Sequence, residues 1–441
     1  KKKKKINSGS QQNEEKVIKE FQDKYSNIKY IKTNQRETVY AAWNRGIKAA
    51  SGQYITNANT DDRHRPDAFE IMARALEENS AVGAVYADNL ITDKENETFE
   101  NNTARQYFNR PNFNLRQMLL FSFFGPQPMW RRSVHQRIGY FDESLSVAGD
   151  YEFFIRLARE FGALHIGEIL GLYTCRSRSI ENRNRGKCVS ETLQVLKGYR
   201  NTISLEDIYP DLKSEKEPVI ALAACLADQG NCCLFGDLPD IESALTYYNR
   251  ALENGYTAPE LAANFGVALW LSGNQTQGME ILQRVSDRVR PAAHNAAVIK
   301  RCIDKGELPQ IGQFEVAEIH HPVVAAATRG KGIIIEDGCF VPVETVERSW
   351  SGSDMIRKLP RKTNEMITDG SRTALVSVIV RTMNRPILLE ECLTSLCAQT
   401  FKDFEVVVIN DGGANVDNII EKHSQWLHIQ YKQHSSNKGR S

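Results

Sequence analysis

Two adjacent aspartates, Asp61 and Asp62, stand between the short apolar run 54–56 and a helix that Pro66 opens. Like charges this close repel unless a cation, a proton or solvent intervenes, so the pair reads either as ligands of a hard divalent metal or as a solvated turn. A third carboxylate, Asp150, lies in "AGDYEF" at the start of an amphipathic segment. A carboxylate at a helix mouth is either a cap or a functional group.

The elements that must position these acids alternate in type. Val39, Ala42, Trp43, Gly46, Ile47 and Ala50 share one face of a helix over 38–50. A strand over 54–56 follows, then a helix with Phe69, Met72, Ala73 and Leu76 inward, then the buried run "VGAVYAD". Helices alternating with apolar strands predict a mostly parallel sheet covered on both faces, where ligands collect beyond the carboxyl ends of the strands. The acid pair sits at such an end. A second α/β pattern starts at Val376: "VSVIVRTMNRP", the helix "ILLEECLTSLCAQT", then "DFEVVVINDGG", the opening of a mononucleotide-binding fold.

Between these stretches the pattern changes to helix after helix. Gly236 and Gly273 occupy equivalent places in two helical hairpins, and Ala262, Gly266 and Leu269 fall at the packing positions of a tetratricopeptide repeat. Two such repeats are expected to pack on a neighbour, with Leu269 and Leu282 buried. Residues 311–372 read as a linker or small irregular region. His320 and His321 lack a metal-binding spacing.

The chain of 441 residues carries 56 basic and 55 acidic side chains, which leaves no field for attracting nucleic acid or a membrane. Nine scattered cysteines show no metal or disulfide spacing. No apolar run reads as a membrane span and no signal peptide follows the opening lysines, so the expected location is cytoplasmic, or peripheral at the inner face of a membrane.

With these residues in view, the chain resembles bacterial glycosyltransferases of family 2, of GT-A fold. Five landmarks carry the likeness in order: the helix at 38–50, "NANTDD", "FGPQPMWRR", "GYFDE" and "AGDYEF". The stretch "SVIVRTMNRPILLEECLTSLCAQTFKDFEVVVINDGG" resembles the family's nucleotide-binding head, and residues 34–186 resemble the remainder. The fold expected is therefore an α/β GT-A-type, mostly parallel sheet plus an all-α tetratricopeptide-like segment. The expected domains are 1–200, a transferase domain lacking its first strands; 205–310, helical hairpins; 311–372, the linker; and 373–441, the nucleotide-binding half of a second copy.

The resemblance implies roles residue by residue. Asp62 would bind Mn2+ or Mg2+ bridging the donor's diphosphate, with Asn59 standing where the family commonly has an acid, and Asp61 would hydrogen-bond the sugar or ribose. Asp150 falls on the position of the base that deprotonates the acceptor hydroxyl, preceded here by Gly149 in place of the usual Glu. Arg176 stands where the family often has a histidine that ligates the metal. Thr382, Asn384 and Arg385 would hold the nucleoside, and Asp411 would contact base or ribose, although an Asp before Gly-Gly also forms turns. Trp130, Arg131 and Arg132 would line the acceptor side, or merely pack at the surface.

The implied activity is inverting transfer of a sugar from a nucleotide-sugar donor to a hydroxyl acceptor in surface polysaccharide or glycan synthesis. The alternative is a non-catalytic scaffold that binds a protein partner through its helical repeats. "INSGS" at Ile6 also parallels "INDGG" at Ile409, so the two copies overlap. This leads to the expectation of a piece cut from a longer tandem enzyme, with the lysine run an artefact or placeholder. Docking of the 376–441 head onto the first copy would bring Asp411, Asp62 and Asp150 into one site.

Overall fold

A computed structural model describes residues 5–8, 30–33, 37–175, 185–328, 343–345, 374–382, 385–397, 399–401, 403–410, 415–424 and 426–433. The chain forms two compact units. One comprises 1–113, 123–188 and 341–441, the other 114–122 and 189–340. The segment expected to start a separate half-domain at 373 thus belongs with the first 113 residues. The boundary expected near 200 falls at 188, and residues 114–122 belong with the helices.

The first unit is built on a sheet whose strands are β1 (Lys5–Ser8), β2 (Tyr30–Thr33), β3 (Tyr54–Asn59), β4 (Arg63–His64), β5 (Ala84–Thr92), β6 (Gln106–Phe108), β7 (Met129–Arg131), β8 (Ala163–Thr174), β9 (Val343–Thr345), β10 (Val376–Thr382), β11 (Phe404–Asn410) and β12 (His428–Gln433). Their spatial order is β1-β2-β12-β11-β10-β3-β7-β5-β6-β9, with β8 beside β5 and β4. From β2 to β3 the neighbours run parallel, and from β3 through β7, β5 and β6 to β9 they run antiparallel. The sheet is the mixed, helix-flanked α/β type that the resemblance implies.

β10 and β11 are almost wholly buried and carry apolar runs at their centres, as central parallel strands with both faces covered must. β10 lies in register with β3 over six residues, from Val376↔Tyr54 to Arg381↔Asn59. The two distant segments share one core: Phe69, Met72 and Leu76 pack in the same cluster as Val378, Val380, Leu389, Leu393, Val406 and Val408. Polar contacts stitch the same seam. Arg63 Nη2 donates to Glu391 Oε2 at 2.6 Å, Gln399 Nε2 to the Arg65 carbonyl at 2.5 Å and the Thr400 amide to the Pro66 carbonyl at 2.7 Å. The buried Glu405 accepts from the backbone amides of Ser51 at 2.7 Å and Gly52 at 3.2 Å. A Cβ on Gly52 would lie 2.8 Å from the Ser377 amide nitrogen, so β10 approaches to a distance only glycine permits. These contacts bring the 376–433 head beside the acid-bearing strand within one chain.

The first segment also joins this sheet. β1 pairs with β2 and meets β11 at Ile6↔Ile409, the two isoleucines of the repeated motif.

The second unit is helical. Two helix pairs, Pro218–Phe235 with Ile241–Glu253 and Pro259–Leu271 with Gln275–Val285, are followed by Arg290–Lys305. Leu269 and Leu282 are buried, as expected. The helix Pro218–Phe235 is long and apolar enough to cross a membrane by length and composition, which the sequence reading had not recognised, but 72% of it is buried among its neighbours. It also carries Asp228, which takes a forked ion pair from Arg116 at 2.5 and 2.6 Å and a hydrogen bond from the Tyr209 hydroxyl at 2.5 Å. That ion pair, with the bond from Arg200 Nη2 to the Leu119 carbonyl at 2.9 Å, ties residues 114–122 to the helices.

Candidate active site

In chain order β10 leads outward through β11 to β12, while β3 flanks β10 on its other side. Strand direction of travel therefore reverses between β10 and β3, and such a switch point opens a crevice at the carboxyl ends. Thr382 ends β10, Asn59 ends β3 and Asn410 ends β11, with Thr382 directly opposite Asn410. Thr382 is 1% exposed, and its Oγ1 has no hydrogen-bond partner among the described residues. A buried hydroxyl left unpaired at the mouth of a switch point is what a bound ligand would satisfy.

The acid pair follows at once. Asp62 is buried; its Oδ2 accepts from Asn59 Nδ2 at 2.9 Å and its Oδ1 from the Thr174 amide at 3.1 Å. The Thr174 hydroxyl donates to the Asp61 carbonyl at 2.6 Å, so the end of β8 clamps the turn. Burial, then the neighbouring Asp61 carboxylate, push Asp62 up to about 7. Asp61 is half-buried and pairs with Arg385 at 2.8 Å. Arg63, buried beneath, donates to the Thr60 and Asp62 carbonyls at 3.1 and 2.9 Å and so fixes the backbone, while its charge offsets only a small part of what burial does to Asp62.

Among the described residues no group of three His, Cys, Asp or Glu side chains converges on a metal site. The donor set nonetheless fits a cation that keeps most of its shell from water and substrate phosphates, since Mg2+ needs only one or two protein carboxylates. Asp62 supplies a buried hard oxygen whose ionised form its hydrogen bonds compensate only in part, and Asn59 supplies an amide whose oxygen and nitrogen can exchange by a flip.

Asp150 occupies the second residue of the helix Gly149–Phe161. Its Oδ1 accepts from its neighbour's Tyr151 amide at 2.8 Å and from the Tyr40 hydroxyl at 3.2 Å. Burial raises its proton affinity and these two hydrogen bonds oppose that. Burial and the Asp150 carboxylate keep the Tyr40 hydroxyl protonated well above its ordinary range, so it remains a donor. A Cβ on Gly149 would fall 2.6 Å from the Tyr40 ring. The ring thus fills the room that a side chain before Asp150 would need. Tyr40 stands on the helix Val39–Ala49, which Asn44 ties to the Phe141 backbone in both directions at 2.8 and 2.9 Å.

The structure therefore joins Asn59, Asp61, Asp62, Thr382 and Arg385 at one strand end and holds Asp150 on a separate fixture. Asn384, Asp411 and Arg176 lie outside the described residues. Trp130, Arg131 and Arg132, expected to line the acceptor side or to pack at the surface, make the following contacts within the fold. Trp130 is 1% exposed and gives its indole N–H to His135 at 3.0 Å within a cluster of Phe141, Phe153 and Phe154. Arg131 donates to the Leu76, Asn79 and Val82 carbonyls at the end of the helix Ala68–Glu78, and Arg132 donates to the Gly52 carbonyl at 2.6 Å. Sequence reasoning missed Tyr40 and Thr174; the Gly149 departure was the available signal for Tyr40, because an absent side chain implies another in its space.

A glycosyl transferase family 2 model matches residues 6–139 and 377–441. A Bacillus subtilis protein named uncharacterized glycosyltransferase YwdF is 33% identical over 127 residues, covering 27% of this chain and 44% of its own length. The uncharacterized glycosyltransferase MJ1057 of Methanocaldococcus jannaschii is 24% identical over 173 residues, 37% of this chain and 56% of its own length. Chondroitin synthase of Escherichia coli is 30% identical over 103 residues, 20% of this chain and 15% of its own length. The chain spans about half or less of the length of these curated relatives. The two segments that match the glycosyltransferase family 2 model contribute strands to one sheet and side chains to one core, and the helical residues lie between them in sequence.

Proposed function

We propose that this domain moves a sugar from a nucleotide-sugar donor to a hydroxyl of a glycan, with inversion at the anomeric carbon. One observation carries the reading: the Arg385–Asp61 pair and the Thr382 hydroxyl, which has no partner among the described residues, lie at the ends of the strands that form the β10/β3 switch point, where the buried Asp62 follows β3. A nucleoside is accommodated at the ends of β10 and β11, near Thr382 and Arg385, with Asn384 and Asp411 following in sequence. The diphosphate then reaches Asp62.

Asp62 and Asn59 would hold Mn2+ or Mg2+, which would offset the negative charge that develops on the leaving diphosphate. Asp61, held by Arg385, orients the ribose or the sugar. Asp150 receives the acceptor's hydroxyl proton as that oxygen bonds to the anomeric carbon and the bond to the diphosphate breaks. Its raised proton affinity is the direction a general base working near neutral pH requires. The similarity to a protein named chondroitin synthase supports a sugar polymer as the acceptor class.

Calorimetry with a panel of nucleotide sugars, with Mn2+ and with chelator, tests the donor half. Binding of at least one nucleotide sugar that is lost with chelator is expected. No binding under either condition would overturn the reading, and binding unaffected by chelator would overturn its metal component.

A further inference from the structure

Asn231, Asn264 and Asn295 recur 33 and 31 residues apart, on the helices Pro218–Phe235, Pro259–Leu271 and Arg290–Lys305. All three are buried, Asn264 and Asn295 completely. Each of these two amides spans one residue of the chain's own segment 314–319. Asn264 Oδ1 accepts from the Ala317 amide at 2.9 Å and its Nδ2 donates to the Ala317 carbonyl at 2.7 Å. Asn295 makes the same pair with Glu315, both at 2.8 Å. Asn231 Nδ2 adds a bond to the Ala317 carbonyl at 3.2 Å, while its Oδ1 accepts from Asn264 at 2.7 Å and from the Tyr248 hydroxyl at 2.9 Å.

In an extended chain the N–H and C=O of residues i and i+2 point the same way, as in a strand paired on one edge. The asparagines thus act as the missing neighbouring strand. They read backbone alone, so they impose no sequence; selectivity is left to a small buried residue at Ala317 and apolar anchors at Phe314 and Ile319. Val316 and Glu318 face solvent. A segment needed only to brace helices could rest on apolar contacts, without two fully buried amides on separate helices aligned to the two-residue repeat of an extended peptide.

We propose that Asn231, Asn264 and Asn295 form a peptide-backbone site that takes an extended polypeptide in trans, bearing a small residue followed two positions later by an aliphatic one. Residues 314–319 are its built-in competitor, so the site opens only when this strap leaves.

The test uses the whole chain and a fluorescent peptide of residues 312–321. Ala317→Pro removes the strap's N–H to Asn264 and should bind the peptide at least about tenfold more tightly than wild type, since apparent affinity scales with the fraction of open sites. Adding Asn264→Leu should abolish that gain. A peptide N-methylated at the Ala317 position should not bind, whereas one altered at Val316 and Glu318 should bind unchanged. Replacing 314–319 by a Gly-Ser segment of equal length provides a second open variant. A folded open variant that binds no peptide, or binding that survives Asn264→Leu or N-methylation, would overturn the proposal. So would failure of both open variants to fold, which would make the strap an indispensable structural part. Wild-type dimerisation abolished by Asn264→Leu would assign the asparagines to strap exchange between copies and overturn the reading as well.

Discussion

At the end of β3, Asp62 is 3% exposed and has a second carboxylate as its neighbour, whereas in the helical unit Asn264 and Asn295, wholly buried, each find a backbone N–H and C=O waiting for them. The two regions bury polarity with opposite results. The acid turn is held by Asn59, Thr174 and Arg63, yet burial and the neighbouring Asp61 still leave the Asp62 carboxylate costly to ionise, the kind of buried polarity that clusters where something else binds. The asparagines are saturated by the chain itself. Removing a group should therefore separate the two: loss at the acid turn harms function and relieves the fold, while loss at the ladder harms the fold.

The largest effect is expected from Asp62→Asn. Transfer should fall by about a thousandfold or more, because charge stabilisation by a bound metal is a term of several kcal/mol. Calorimetry should show donor binding that no longer responds to Mn2+. Stability should move the other way. The folded-state pKa of Asp62, about 7, lies above its ordinary 3.8, so ionisation opposes folding. That cost is absent below about 4, grows as pH rises, and is complete above about 7. Denaturant titrations of metal-free protein across this range should show a shallower decline in Asp62→Asn than in wild type, with Asp150 supplying part of what remains. A variant as sensitive to pH as wild type would make the pair an ordinary turn.

Asp150→Asn should leave donor affinity unchanged and lower transfer by about a hundredfold or more, the scale of a lost general base. Intact transfer would reduce Asp150 to a helix cap. Asn264→Leu should change no chemistry but strand the Ala317 N–H, at a cost of about 1–3 kcal/mol for a buried group left unpaired, while the Ala317 carbonyl keeps its bond from Asn231. Unchanged resistance to denaturant would show that the strap's backbone bonds contribute nothing.

The apolar strands and the 3.6-residue faces were legible because burial writes a period into the sequence: Val376 to Thr382 and the Phe69, Met72, Leu76 stripe are where the pattern expects them. What one sequence does not write is which strand pairs with which across a gap. β3 and β10 are more than 300 residues apart, and their register depends on Gly52, Glu405 and Gln399, none of which forms a local motif. Asn59, Asp61 and Asp62 were legible as a cluster because they are contiguous. The Arg385 partner of Asp61 was assigned only to the nucleoside, since an ion pair between remote residues leaves no spacing signal. Trp130 misled for a related reason. An aromatic beside two arginines looks the same in sequence at a surface and in a core, and only its ring neighbours decide. The strap at 314–319 read as irregular because its bonds come from side chains on other helices and not from a repeating backbone pattern.

Tyr40→Phe should produce the smallest change, and the one that discriminates most finely between a positioned base and a buried cap. The substitution keeps the ring that fills the space over Gly149 and its stacking on Phe141, and removes only the 3.2 Å hydrogen bond to Asp150. One such bond is worth about 0.5–1.5 kcal/mol, or about two- to tenfold in rate if it acts wholly in the transition state. Its more telling consequence is in pH. The hydroxyl's bond favours ionised Asp150 and lowers its proton affinity, so its loss raises the pKa further. A general base works only when deprotonated, and activity falls as pH drops through that pKa. The acid limb of kcat/KM should accordingly move to higher pH in Tyr40→Phe, while the rate on the alkaline plateau changes little. A uniform loss across all pH values, with the limb unmoved, would mean that Tyr40 merely packs and that Asp150's protonation does not govern the reaction.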